Sequence, residues 1–160
     1  MRKTTRRVAG IGATLLAAAS MSLATTSPAS AEEYHPGSWV GTGTNWAPGE
    51  DTYSMTTHLV MQDDGNFVLY CRNGTGQDAL AIWNSGTWGN PGAHATFQAD
   101  GNLVVYSSQG TPLWYSGTYG SGGNQLAVQD DNNLVIYRDD DTPVWQSNTY
   151  HACPAYTRLD

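Results

Sequence analysis

Three stretches of this chain alternate apolar and polar residues with a period of two, the spacing that sends successive side chains to opposite faces of a β-strand. In the first stretch, residues 57–62 and 66–70 are strand-like runs separated by Asp63-Asp64-Gly65. Leu59, Met61, Phe67 and Leu69 fall on one face; Gln62, Asn66, Val68 and Tyr70 fall on the other. Ala95, Phe97, Leu103 and Val105 repeat the apolar face in the second stretch, and Leu126, Val128, Leu134 and Ile136 in the third. The last turn residue is Gly65, Gly101 or Asn132, types that tolerate positive φ. Each stretch therefore predicts a β-hairpin with a tight three-residue turn.

A second pattern follows each hairpin: Ile82-Trp83-Asn84-Ser85-Gly86-Thr87, Leu113-Trp114-Tyr115-Ser116-Gly117-Thr118 and Val144-Trp145-Gln146-Ser147-Asn148-Thr149. The tryptophans recur every 31 residues, whereas the hairpin glutamines are spaced 36 and then 31 apart. The difference is an insertion at residues 72–79. A period of this size suits a stacked or radially repeated architecture. The reading is all-β, with repeats at about 53–88, 89–119 and 120–150. Three apolar hairpin faces can close one core around a pseudo-threefold axis, with Trp83, Trp114 and Trp145 inside it.

Composition changes the picture at the N-terminus. Arg2, Lys3, Arg6 and Arg7 precede an apolar stretch over 8–24, and Ala29-Ser30-Ala31 offers a small-residue cleavage site. Residues 1–31 thus read as a removed signal peptide, and the protein as secreted and extracellular. A membrane anchor is the alternative, but Gly10, Gly12, Thr14 and Ser20 weaken that stretch as a span. Residues 32–160 are the length of one domain. They carry only Arg72, Arg138 and Arg158 against 14 acidic residues, a net charge of about −11. Such a surface is a poor match for nucleic acid or anionic membranes. In a secreted chain the two cysteines, Cys71 and Cys153, predict a disulfide. Free thiols or an intermolecular pair remain the alternatives.

The outward hairpin face carries the candidate chemistry. Its skeleton, Q-x-D-x-N-x-V-x-Y, is intact three times: Gln62, Asp64, Asn66, Val68, Tyr70; Gln98, Asp100, Asn102, Val104, Tyr106; and Gln129, Asp131, Asn133, Val135, Tyr137. Amides donate and accept, an ionised carboxylate accepts, and a phenol does both. With one valine among them, the set suits a ligand with adjacent hydroxyls and a small apolar patch, such as a pyranose. Asp and Asn can also stabilise a turn through bonds to the backbone. That alternative leaves the fixed Gln and Tyr without a role.

This motif resembles that of the bulb-type, snowdrop-lectin-like mannose-binding lectins, over roughly residues 39–149, and the chain looks like a bacterial secreted member. The resemblance implies a β-prism of three four-stranded sheets and three metal-independent sites for terminal α-D-mannose. It implies that Asp and Asn hold the axial 2-hydroxyl, Gln the 3-hydroxyl and Tyr the 4-hydroxyl, with Val as the apolar contact. The partners implied are mannose-containing glycans on microbial or fungal surfaces. The family often forms a homodimer by exchanging its C-terminal strand; Cys153 and the tail over 154–160 are departures at that end. Plant members commonly place a cysteine in the first hairpin turn, where this chain has Gly65, so the Cys71–Cys153 pair does not follow their pattern. The insertion after Tyr70 makes sites two and three the safer expectations.

Other chemistries fit less well. His58 and His94 occupy equivalent places in different repeats, too far apart to share a metal, and no His or Cys cluster has ligand spacing. Asp139-Asp140-Asp141 lacks the glycine and spacing of a calcium loop and reads as a solvated connection. No cofactor is implied. The Asp63-Asp64 pair belongs to a thrice-repeated motif, whereas catalytic carboxylates are usually unique, and G-x-S-x-G is absent, so the chain does not read as an enzyme. A lectin-like bacteriocin or antifungal toxin, targeted by mannose binding, is the competing function.

Overall fold

The computed structural model describes residues 37–154; the leader expected at 1–31 lies outside the described residues. Twelve strands run in chain order: β1 Gly37–Gly41, β2 Asn45–Trp46, β3 Asp51–Tyr53, β4 Thr57–Met61, β5 Phe67–Arg72, β6 Asp78–Asn84, β7 His94–Phe97, β8 Leu103–Tyr106, β9 Pro112–Tyr115, β10 Gln125–Gln129, β11 Leu134–Tyr137 and β12 Pro143–Gln146. They form three four-stranded antiparallel sheets, a β-prism. The three expected hairpins are β4–β5, β7–β8 and β10–β11. Each continues into its third consecutive strand, β6, β9 or β12.

The fourth strand of every sheet comes from the segment before the repeats. β1 pairs with β10, β2 with β7 and β3 with β4. The chain therefore closes all three sheets before entering the first repeat, which the period-two pattern did not reveal. These edge strands are two to five residues long and interrupted by Gly43, Pro48 and Gly49, so they carry too little alternation to be read locally.

The faces sort as expected. All twelve inward hairpin residues, from Leu59 to Ile136, are fully buried in one cluster. Ile82, Leu113 and Val144, with the tryptophans that follow them, also pack against this cluster. Two neighbouring residues cannot both face inward on a regular strand. The pairing solves this: Leu69 opposes Trp83 but Tyr70 opposes Ala81, and the register shifts in the same way after Val105 and Ile136. The extra residue is a β-bulge, repeated in each sheet, that admits the apolar residue beside the tryptophan. Trp83, Trp114 and Trp145 meet edge to face, with centroids 5.3, 5.8 and 5.8 Å apart, and form a triangle on the pseudo-threefold axis.

The corners between sheets explain the turn residues. Gly65 and Gly101 have φ of 91° and 86°. A Cβ on Gly65 would lie 2.2 Å from the Asn90 carbonyl oxygen, and one on Gly101 2.5 Å from that of Gly123. The third corner faces the first repeat instead, and Asn132 (φ 77°) uses its side chain there. Its Nδ2 donates to Thr56 Oγ1 at 3.0 Å, and its Oδ1 accepts from Cys153 N at 3.1 Å. Beside it, Cys71 on β5 is bonded to Cys153 across 82 residues, the disulfide expected from sequence. Closing a loop of that length stabilises the fold by about 4.5 kcal/mol on the chain-entropy scale.

Candidate functional site

The outward face of each sheet brings its five motif residues together. Gln62 Nε2 donates to Tyr70 Oη at 2.9 Å, Gln98 to Tyr106 at 2.7 Å, and Gln129 to Tyr137 at 3.2 Å. Asp64 Oδ1 accepts from Asn66 N at 3.0 Å, and Asp100 and Asp131 accept likewise from Asn102 and Asn133 at 2.9 Å. This last bond is the turn-stabilising role weighed for Asp, and it occupies one carboxylate oxygen only. Val68, Val104 and Val135 lie in the same face, buried beneath their polar neighbours.

Sequence reasoning missed what aims the asparagines. The Ser-x-Thr after each tryptophan forms a lock around the Asn carbonyl. Asn102 Oδ1 accepts from Ser116 Oγ, Gly117 N and Thr118 N, each at 3.1 Å. Ser116 Oγ accepts in turn from Leu103 N, and Thr118 Oγ1 donates to Gly101 O at 2.6 Å. Ser85 and Thr87 hold Asn66 in this way, and Ser147 and Thr149 hold Asn133. Because backbone N–H groups face it, the amide oxygen must point into the lock, and Nδ2 must point away from it. The repeated W-x-S-x-T was the available signal, but nothing local shows that it folds back onto the preceding hairpin.

In sites one and two, these bonds leave over an Asp oxygen, the Asn Nδ2, the Gln Oε1 and the hydrogen of the Tyr hydroxyl on one sheet face. Acceptor and donor alternate, which is the arrangement that grips vicinal hydroxyls, each of which donates and accepts.

The third copy differs. Asn133 Nδ2 already donates to Gln146 Oε1 at 2.9 Å. Gln129, Asn133 and Tyr137 are only 2%, 6% and 7% exposed, and Trp39 on β1 packs over Tyr137 at 5.4 Å. The corresponding residues of the other sites are half-buried. The insertion lies beyond Tyr70, at the end of the β5–β6 hairpin away from the Asp64 turn, closed by Asn73 Oδ1 accepting from Gln77 N at 2.9 Å. It leaves the Gln62–Tyr70 bond in place and adds Asp78, whose carboxylate lies 2.8 Å from His58 Nδ1. Tyr53 stacks on His58 at 4.2 Å with Arg72 over its ring. The Asp51 carboxylate that accepts its hydroxyl holds the Tyr53 phenol above its ordinary pKa, with burial adding to the effect. Among the described residues, no three His, Cys, Asp or Glu side chains converge as a cation site.

No protein-family model and no curated protein matches the chain. Solved structures do. A monomeric monocot mannose-binding lectin from Gastrodia elata is 33% identical with a TM-score of 0.62, covering 70% of this chain and 97% of its own. The mannose-specific agglutinin of snowdrop, Galanthus nivalis, solved with methyl-α-D-mannoside, is 33% identical with a TM-score of 0.55, covering 70% and 96%. The Marasmius oreades lectin is 28% identical with a TM-score of 0.63, covering 73% and 95%. All three are lectins by name. With a third of the aligned residues identical across nearly the whole Gastrodia and snowdrop chains, and with their three-sheet fold, this chain belongs to the bulb-type mannose-binding lectin family.

Proposed function

We propose that residues 32–160 are a single secreted lectin domain that binds terminal α-D-mannose without a metal, through the three Q-x-D-x-N-x-V-x-Y faces. The observation that carries this reading is the locked asparagine, whose Nδ2 is turned outward beside a free Asp oxygen. A donor and an acceptor fixed together can hold one hydroxyl from both sides. The axial 2-hydroxyl of mannose is a natural occupant, and glucose does not present it in that direction. The snowdrop relative's complex with methyl-α-D-mannoside supports the choice of sugar. The disulfide supports an oxidising, extracellular location.

Three shallow sites on the three sheets of one rigid body gain avidity only where many terminal mannoses are displayed, as on microbial and fungal surfaces. Calorimetric titration with methyl α-mannoside and, separately, methyl α-glucoside, with and without chelator, tests the proposal. Mannose-selective binding that survives chelation is the expected result. Equal affinity for both sugars, or binding lost on chelation, contradicts it.

A further inference from the structure

The residue after each repeated tryptophan has no role in the core, and it differs in every repeat. Asn84 stands directly across from Val68, Tyr115 from Val104 and Gln146 from Val135. The bulge turns the tryptophan inward, so its successor faces outward, beside the valine of each site. Directly opposed residues on one face have Cβ atoms about 5 Å apart, within reach of a common ligand.

At site two this residue is an aromatic ring, and a second ring accompanies it. Tyr115 is 64% exposed and Tyr119 77% exposed. Tyr119 is held in place by its neighbours: Thr118 N donates to Asn102 Oδ1 at 3.1 Å, and Gly120 N donates to Asp100 O at 2.9 Å. Tyr115 thus stands beside Val104 on β9, and the backbone of Tyr119 is anchored next to the Asp100–Asn102 pair by the loop that follows. Neither ring stacks on another among the described residues, and folding does not require a ring at the position of Tyr115, since Asn84 and Gln146 serve there. The other sites lack the pair. Site one has Trp88 with Asn84, whereas site three has Gln146 with Tyr150, whose ring is turned onto His151 at 3.9 Å.

We propose that Tyr115 and Tyr119 form a second saccharide subsite at site two. It takes the sugar next to the terminal mannose, so that site two selects an oligosaccharide over a monosaccharide. This rests on the reading of site two as a mannose site. The C–H face of a pyranose is apolar and packs on an aromatic ring, and tyrosine loses little conformational freedom in doing so.

Amide NMR titration of the full mature chain separates the sites, because Gly65, Gly101 and Asn132 sit in the turns of sites one, two and three. The ligands are methyl α-mannoside and α1,2-, α1,3- and α1,6-linked methyl mannobiosides. At Gly101, one mannobioside at least is expected to bind about five- to tenfold more tightly than methyl mannoside. The double variant Tyr115→Ala/Tyr119→Ala is expected to bring that ratio close to one at Gly101 and leave the ratio at Gly65 as it was. Equal affinities for all ligands at wild-type Gly101 overturn the subsite, as does a ratio that survives the double variant; methyl mannoside binding then leaves the mannose reading standing. No shift with methyl mannoside at any site overturns both.

Discussion

Asn102 has two separable functions, one at each end of its amide. Asn102→Ala deletes the acceptor of three bonds. Ser116 keeps Thr118 as a partner, and Gly117 is exposed, so its N–H can turn to water. Thr118 is 4% exposed, and its N–H is left buried without an acceptor. One such donor costs about 1–3 kcal/mol. For a domain of this size that lowers Tm by about 4–12 °C. Asn102→Asp keeps an oxygen for all three donors and loses only Nδ2. It places a second carboxylate beside Asp100, a repulsion of about 1–4 kcal/mol from bulk-water to protein-surface screening, which the charge-assisted bonds from the three donors offset. Calorimetric melting at pH 7 is therefore expected to show Asn102→Asp within about 4 °C of wild type and Asn102→Ala below it. Methyl mannoside titration should show both variants silent at site two, because both lack the outward donor. If Asn102→Asp melts as low as Asn102→Ala, the lock is not what the amide oxygen provides. If Asn102→Asp still binds, Nδ2 is not a sugar contact.

Further outcomes follow from the corners and from site three. Gly43→Ala and Gly101→Ala impose the same backbone penalty, with φ of 91° and 86°, but a Cβ at Gly43 meets nothing within 4 Å. Gly43→Ala should cost about 1–2 kcal/mol in urea unfolding and Gly101→Ala clearly more; equal costs would show that corner packing is dispensable. The double variant Cys71→Ala/Cys153→Ala should lose up to about 4.5 kcal/mol in the same assay, and a loss below about 1 kcal/mol would contradict the loop-closure account. Gln146→Ala releases Asn133 Nδ2 from its bond, so methyl mannoside affinity read at the Asn132 amide should rise about threefold. An unchanged or weakened affinity there would mean that Gln146 does not compete with the sugar.

The chain's local grammar determined a great deal. Period-two alternation named every inward residue of the three hairpins, and Gly65, Gly101 and Asn132 marked turns that do have positive φ. These features are legible because a strand's faces and a turn's dihedrals depend on residues a few positions apart. The triple motif and the tryptophan spacing also pointed to the family and its threefold core for the same reason, being one local unit written three times.

Tertiary structure decided what depends on distant contacts. The edge strands over 37–53 pair with strands up to 92 residues further along the chain, as in Gly37 opposite Gln129, and no short window contains that pairing. The outward aim of each asparagine is set by a Ser and a Thr from the far end of its repeat. The three sites read as equivalent in the motif, yet Trp39 and Gln146 crowd the third while Tyr115 stands beside the valine of the second. Identical motif residues become different sites because the side chains around them come from elements that do not repeat, or from the one position of each repeat that the core leaves free to vary.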